Sequence, residues 1–294
     1  MSTSFEPIPS SLAAQIAASN YTLSPEHLSV EVGQAEHRIQ LVNQWRIPAS
    51  SRILEIGCGQ GTCTAVLAAA VGADGHVDAV DPSPPDYGAP VTLGQAQSHL
   101  SAGPFGSRIT WHRAETTSFL ADHPHERWDY AVLAHSIWYF DSPEELSEIL
   151  PALKDRCGTL VVAEYALTAT HAHALPHVLT AIAQGLLHRE MQKPATEANI
   201  RCLLSPDGIK GAAQDAGWRL ESESVVVPGD ALLDGSWDTS MVQSRGFEEE
   251  VENIHDSTAK ALLRSSRDAV AGAVKSLGGN KPRTMDVWVA RFAS

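Results

Sequence analysis

The chain has 294 residues, 43% of them hydrophobic and 19% charged, and it carries a formal net charge of −14 at pH 7. This composition indicates a globular protein of one large or two small domains, long enough to bury a full core without disulfides. Because the negative charge would repel phosphates, we expect neither nucleic acid nor an anionic membrane surface as a partner.

The N-terminus and the cysteines indicate a cytoplasmic protein. The first residues lack the basic start and the apolar run of a secretory signal, and no stretch approaches the roughly eighteen apolar residues of a membrane span. The four cysteines, Cys58, Cys63, Cys157 and Cys202, include no C-x-x-C pair. This argues against a zinc knuckle and favours free thiols in a reducing compartment.

Strands and helices alternate along most of the chain. After a helical segment, the sequences "SRILEIG", "GHVDAVD", "RITWHRAE", "WDYAVLAHS" and "CGTLVVAEYAL" predict five strands, and "WRLESESVVV" and "TMDVWVARFA" predict two more. Helices are predicted between them, one of which begins with a capping box of Ser142 and Glu145. This order predicts an α/β fold with a doubly wound, mostly parallel sheet.

Two segments interrupt the alternation. The first contains a helix with Leu175, Val178, Leu179, Ile182 and Leu186 on one face, and the second contains a loop with Trp237, Met241 and Phe247 before a long helix. We therefore divide the chain into an N-terminal helical lid (1–50), a cofactor-binding core (51–167), a helical insertion (168–204), more core (205–228), a second insertion (229–280) and a last core strand (281–294).

The stretch "RILEIGCGQGT", residues 52–62, predicts a strand followed by a ligand-binding turn. Glycines at 57, 59 and 61 allow backbone to approach a ligand closely. Thr62 stands where a dinucleotide fingerprint has its third glycine, and no G-K-[ST] follows, so the pattern favours neither NAD nor a P-loop. Glu55, two residues before the turn, would oppose a pyrophosphate but can face an ammonium group.

Two more acids follow the next predicted strands. Asp81 ends "VDAVD" and Glu115 follows "RITWHRA", so both lie at the carboxyl edge of the sheet, where such folds bind ligands. Asp81 can accept hydrogen bonds from ribose hydroxyls, and Glu115 can accept one from an exocyclic amine. Ammonium, ribose and adenine, in that order along the strand ends, describe S-adenosylmethionine.

The motifs "LEIGCGQG", "VDAVDPS", "HRAETTSF", "WDYAVLAHSIWYF" and "CGTLVVAEYAL" resemble those of class I S-adenosylmethionine-dependent methyltransferases. The resemblance covers residues 51–166, and more loosely 205–227 and 284–292. It implies a seven-stranded Rossmann-like sheet whose helical insertions cover the substrate, and methyl transfer to a small molecule such as a secondary metabolite. The residues that it places around the cofactor are Glu55, Gly57, Cys58, Gly59, Gln60, Asp81, Pro82, Glu115, Thr116 and Ala134.

On the acceptor side we predict one base and several aromatic contacts. His135 follows "YAVLA" at the strand end that lies beside the transferable methyl in this family, and an imidazole suits a general base near neutral pH. Aromatic faces attract a sulfonium cation. The predicted acceptor contacts are Tyr21, Trp138, Trp237 and Phe247, although Trp138, Tyr139 and Phe140 also fit a buried core.

Other interpretations remain open at this level. His171, His173 and His177 have a spacing that could bind a metal, but no acid stands at ligand spacing, and we predict no metal site. A methyltransferase-like protein that binds the cofactor for a non-methylating reaction, or as a regulator, is the alternative function. A nicotinamide oxidoreductase is disfavoured by Thr62. The acceptor atom and the oligomeric state are left open.

Overall fold

A computed structural model describes residues 5–191 and 200–294 of the chain. The first four residues of the predicted lid, and residues 192–199 of the predicted insertion 168–204, lie outside the described residues. The described residues form seven strands: β1 (Arg52–Ile56), β2 (His76–Val80), β3 (Ile109–His112), β4 (Trp128–Ala134), β5 (Cys157–Tyr165), β6 (Arg219–Val226) and β7 (Val287–Ala293).

The strands form one sheet with the order β3-β2-β1-β4-β5-β7-β6. The first five strands are parallel to their neighbours, and β7 is antiparallel to both β5 and β6. The predicted doubly wound, mostly parallel sheet is confirmed. Its order reverses between β1 and β4, and the carboxyl ends of strands at such a point open a crevice suited to a ligand.

Helices cover both faces of the sheet because both faces are apolar. Alternate residues of β1 point to opposite sides, so Ile53 packs in one core and Leu54 in the other. The helices are α1 (Ala13–Ala17), α2 (Pro25–Trp45), α3 (Thr62–Val71), α4 (Leu93–Ala102), α5 (Thr116–Asp122), α6 (Pro143–Lys154), α7 (Leu175–Glu190), α8 (Pro206–Asp215), α9 (Asp234–Val242), α10 (Arg245–Glu252) and α11 (Ser257–Ser276).

A third apolar core lies among α7, α9, α10 and α11. Leu187, Val242, Phe247 and Leu263 are all buried there. The predicted loop with Trp237, Met241 and Phe247 is wrong, because these residues lie in α9 and α10. The Asp-Gly-Ser sequence at the start of α9 has turn chemistry, and both helices are short, so the helical pattern was hidden.

The capping box predicted at α6 is also absent. The Ser142 side chain makes no cap hydrogen bond, and the Glu145 carboxylate accepts instead from the backbone N–H of Asp141 at 3.1 Å. On α7, Val178 is buried whereas Leu175 and Ile182 are exposed, so the predicted apolar face is only partly covered.

No helix among the described residues is long and apolar enough to cross a membrane. All four cysteines are free and buried.

Candidate active site

The turn between β1 and α3 has a conformation that its glycines make possible. Gly57, Gly59 and Gly61 have φ angles of +71°, +52° and +91°. A Cβ on Gly57 would lie 2.5 Å from the Cβ of Ser136, and one on Gly61 would lie 2.7 Å from the ring of Trp111. The turn therefore passes close to the end of β4, and alanine fits at neither position.

Asp81 joins the turn to the end of β2. One carboxylate oxygen accepts from the Gly59 N–H at 2.8 Å, and the other accepts from the Ser83 N–H at 2.9 Å. The side-chain amide of Gln60 also holds this turn in place by donating to the Val91 carbonyl at 2.6 Å. The carboxylate is half-buried at the crevice, with lone pairs left for a further donor. Pro82, the next residue, is exposed.

Glu55 lies behind the turn and not in the open crevice. The alternation along β1 directs it to the face covered by α2 and α3, where it is 2% exposed. Thr64 Oγ1 donates to its carboxylate at 2.5 Å. Burial raises the pKa of Glu55 to about 7, against the hydrogen bonds from Thr64 and Cys63 and the charge of Arg38, which favour the ionised form.

The other predicted cofactor residues lie at neighbouring strand ends. Glu115 is exposed and precedes α5, Thr116 is buried as the first residue of that helix, and Ala134 is the half-buried last residue of β4. Burial raises the pKa of the Cys58 thiol well above its usual value. Cys58 is therefore a small turn residue and not a nucleophile.

A polar cluster faces the end of β4 from α2. Nε2 of His37 lies 3.0 Å from Nε2 of His135, and Nδ1 of His135 lies 3.6 Å from the Glu164 carboxylate. The ring of Tyr165 packs against His135 with 4.5 Å between centroids. Of the eight buried side-chain polar atoms that lack a hydrogen-bond partner in the described part of the chain, four belong to this region: His37 Nδ1, Arg38 Nε, His135 Nδ1 and Ser136 Oγ.

The predicted acceptor contacts have different environments. Trp138 is 2% exposed, and its indole N–H donates to the Leu204 carbonyl at 2.9 Å, so it is a core residue. Its neighbour Tyr139 is 43% exposed, and Trp237 on α9 is 47% exposed. Phe247 is buried in the third apolar core, among α7, α9, α10 and α11, where an acceptor would have to displace it.

Tyr21 is half-buried in the segment between α1 and α2. Its ring meets that of His99 on α4 edge-on, with 5.6 Å between centroids. This contact holds the segment before α2 against the helix that follows β2.

Acidic groups surround the exposed tyrosine. Although part of the Tyr139 ring is exposed, its hydroxyl end is buried, and this burial, followed by the charges of Asp238 and Asp234, raises its pKa. The same two carboxylates contribute to the raised pKa of Tyr165, after burial. The carboxylates of Asp234 and Asp238 therefore act on both tyrosines, and the positive charge of Arg38 acts on Tyr165 in the opposite direction.

His177 lies on α7 and packs against α9. It is fully buried, with one ring nitrogen 3.2 Å from the Asp238 carboxylate and the other accepting from the Met285 N–H at 3.0 Å. The described residues contain no group of three or more histidine, cysteine or acidic side chains that could hold a metal ion.

Sequence reasoning missed the residues that α2 contributes. Gln34, His37 and Arg38 share one helix face through their i, i+3 and i+4 spacing, and Gln34 and His37 are buried. Polar residues on the buried face of a long helix are a signal for a site, because burying an unpaired polar group is costly. Without the fold, however, nothing connects this face to the end of β4.

Comparison with known proteins identifies the family. A model of the methyltransferase domain family matches residues 31–223. The methyltransferase phomM' of Diaporthe leptostromiformis is 28% identical, over 93% of this chain and 87% of its own length. The crystal structure of a cyclopropane-fatty-acyl-phospholipid synthase-like protein from Lactobacillus casei is 31% identical with a TM-score of 0.82, covering 97% of this chain and 100% of that one. The chain belongs to the methyltransferase domain family and is a class I S-adenosylmethionine-dependent methyltransferase.

Proposed function

We propose that this methyltransferase holds S-adenosylmethionine at the carboxyl ends of β1 to β4 and methylates a neutral or cationic small molecule beneath its helical cover. One observation carries the proposal: the glycine turn brings backbone against the end of β4 while its Gly59 N–H is fixed by Asp81. When bound, S-adenosylmethionine supplies a methyl carbon that its positively charged sulfur activates for attack.

The strand ends offer a suitable group for each part of the cofactor. We assign the ribose hydroxyls to Asp81 and the adenine border to Glu115 and Thr116. Ala134 would lie beside the sulfur end, together with the turn residues 57–60. Glu55, hidden behind the turn, supports the shape of the turn without direct contact with the cofactor.

Arg38 is a group that the sequence prediction did not include. Its Nε is buried without a partner, and its charge acts on Glu55 beneath the turn. The amino-acid end of S-adenosylmethionine carries a carboxylate, and a guanidinium binds carboxylates in a two-pronged arrangement. We assign that carboxylate to Arg38, which explains why a polar atom is buried here unpaired.

The acceptor side supports a substrate without negative charge. Asp234, Asp238 and Glu164 lie around Tyr139 and Tyr165, so an anion would be repelled. The exposed side chains of Tyr139 and Trp237 offer apolar area to the acceptor. In this proposal the N-terminal segment with Tyr21 and the segments 168–204 and 229–280 cover the acceptor, whereas Trp138 and Phe247 act through packing.

The net charge and the cysteines indicate which partners and which compartment suit the protein. The net charge of −14 favours neither nucleic acid nor an anionic lipid surface as a partner. It also argues against a phospholipid acceptor, despite the likeness to a cyclopropane synthase-like protein. Four free cysteines fit the reducing cytoplasm.

Calorimetry with S-adenosylhomocysteine and with NAD tests the cofactor assignment. We expect binding of the first and none of the second, and a ligand at a hundred times its Kd should stabilise the fold by about 2.7 kcal/mol. Release of S-adenosylhomocysteine is then measured with neutral, cationic and anionic acceptors. Binding of NAD alone would overturn the cofactor proposal, and turnover of anionic acceptors only would overturn the acceptor proposal.

A further inference from the structure

We propose that His37, His135 and Glu164 form a proton relay, in which Nδ1 of His37 takes the proton from the methyl acceptor while His135 and Glu164 position that base. The inference rests on the proposed function and adds a catalytic residue from α2. It also changes the role of His135 from the base that contacts the acceptor to the group that orients His37 and receives the proton from its Nε2.

The contact between the two histidines requires one shared proton. Their Nε2 atoms are 3.0 Å apart, and the ring centroids are 5.3 Å apart. At this separation one nitrogen donates and the other must carry a lone pair. His135 therefore cannot use Nε2 on an acceptor while the pair is intact.

Glu164 decides which nitrogen holds the proton. Its carboxylate is 1% exposed and accepts from the backbone N–H groups of Ile137, Trp138 and Tyr165 at 3.0–3.4 Å. It lies 3.6 Å from Nδ1 of His135, a separation that catalytic contacts commonly shorten when substrate binds. A carboxylate favours an N–H over a lone pair opposite it, so Nδ1 of His135 carries the proton.

The remaining protons follow from this assignment. With Nδ1 of His135 protonated, its Nε2 accepts from Nε2–H of His37. Nδ1 of His37 is then left with a lone pair, and it is a buried atom without any hydrogen-bond partner. It is the one nitrogen in the pair that is free to receive a proton.

The position of His37 is suitable for an acceptor base. On the same face of α2, Gln34 donates to Asp234 of α9 at 3.3 Å, and the charge of Arg38 acts on Glu55 below the glycine turn. His37 thus lies between the acceptor cover and the cofactor turn. At the end of β4, His135 has φ +54°, a left-handed conformation that is strained in a non-glycine residue and is concentrated at functional sites.

Burial and neighbouring positive charge keep His37 neutral, although carboxylates also stand among the charged and titratable groups around it. These are Arg38 on its own helix, His135 after β4, Glu164 and Tyr165 on β5, and Asp234 beyond Gln34. Burial, followed by the charges of Arg38 and His135, lowers the pKa of His37 well below its usual value. A neutral imidazole is the form that a base requires.

The step balances without an added reagent. As the acceptor heteroatom bonds to the methyl carbon, the carbon–sulfur bond breaks and its electron pair remains on sulfur. The acceptor proton moves to Nδ1 of His37, and the proton on Nε2 of His37 moves to Nε2 of His135. The resulting positive charge lies on His135, beside Glu164.

Nitrogen NMR of the histidine rings tests the relay without an acceptor. The full chain is labelled with ¹⁵N-histidine and saturated with S-adenosylhomocysteine, and His37→Gln and His135→Gln assign the signals. Between pH 6 and 8 we expect His37 to be neutral and protonated on Nε2, and His135 to carry a proton on Nδ1. A proton on Nδ1 of His37, or a positively charged His37 at pH 7, would overturn the proposal.

Kinetics provide the second arm, with phenol, benzylamine and other simple hydroxyl and amine acceptors as probes. His37→Gln should lower kcat by about 10²–10⁴-fold, and His135→Gln by about tenfold or more with an altered pH profile. His123→Gln is the control and should keep the wild-type rate. In the wild type, the His123 imidazole contacts the Phe119 carbonyl on α5.

The two proposals can fail separately. Both relay variants should bind S-adenosylhomocysteine with a Kd within about twofold of wild type, which shows that they are folded. Loss of less than about threefold in kcat for His37→Gln would remove His37 from the chemistry. No binding of S-adenosylhomocysteine by wild type would instead reject the proposed function, and if no probe is methylated the NMR result alone decides on the relay.

Discussion

Replacing Glu55 by glutamine should remove most of the pH dependence of stability near neutrality. Burial raises the pKa of Glu55 from 4.5 to about 7 in the folded chain. The folded state then holds a proton that the unfolded state has lost, so the free energy of unfolding falls as pH rises from 4.5 to 7 and is level above. Glutamine has the same shape and no charge to bury.

The magnitude follows from the difference between the two pKa values. A difference of about 2.5 pH units at about 1.36 kcal/mol each gives a full effect of about 3.4 kcal/mol. Between pH 5 and pH 8, wild type should lose about 2.5 kcal/mol more than Glu55→Gln. The amide can keep the hydrogen bond from Thr64, so little else changes.

Urea unfolding of both proteins at several pH values measures this difference, with the midpoint and slope fitted at each pH. Glu148 is an exposed carboxyl on α6, so Glu148→Gln serves as the control, and its free energy of unfolding should depend on pH as that of wild type does. Parallel pH curves for Glu55→Gln and wild type would refute the claim that Glu55 is held protonated by burial.

Three further predictions concern the crevice and its cover. Asp81→Ala should weaken binding of S-adenosylhomocysteine by about 1.5–3 kcal/mol in calorimetry, whereas Asp86→Ala, an exposed acid on the same loop, should not; equal Kd values would reject the ribose assignment. Gly57→Ala should reduce cofactor affinity more than Gly59→Ala, because a Cβ at 57 meets Ser136 at 2.5 Å and one at 59 meets nothing within 4 Å; the reverse order in calorimetry would contradict this. Trp237→Ala should raise the acceptor KM without a change in cofactor Kd. Phe247→Ala should instead lower the free energy of unfolding by about 3–5 kcal/mol and leave KM unchanged. If Phe247→Ala raised KM and Trp237→Ala only lowered stability, Phe247 and not Trp237 would lie at the acceptor.

The sequence predicts the cofactor half of the molecule well because its signals are local. Apolar runs of four to eight residues followed by glycine or an acid indicate buried parallel strands and their carboxyl ends. Gly57, Gly59 and Gly61 all have positive φ angles, which glycine adopts readily and other residues rarely do, so the spacing of the glycines predicts the turn. Asp81 could be assigned to the edge of the sheet for the same reason.

Predictions fail where an outcome depends on distant packing. The contact between His37 and His135 joins residues 98 positions apart, and no local pattern reports it. Glu55 could be assigned to a strand end, but its burial under α3 depends on Thr64 and on how α2 covers that helix. In α9 and α10, contacts with α7 and α11 stabilise segments whose own sequences resemble turns.

Glu55 behind the glycine turn and His37 on α2 both have shifted pKa values, which show how charge is arranged around the crevice. Burial keeps Glu55 protonated toward neutral pH and keeps His37 unprotonated, so both are neutral where an ordinary carboxyl is charged and an ordinary imidazole begins to protonate. A sulfonium arriving above the turn would favour ionisation of Glu55 and oppose protonation of His37. Both effects help, since the first strengthens binding of the positive cofactor and the second keeps the base free. Environments that shift two pKa values in opposite directions allow one site to give two titratable groups separate roles.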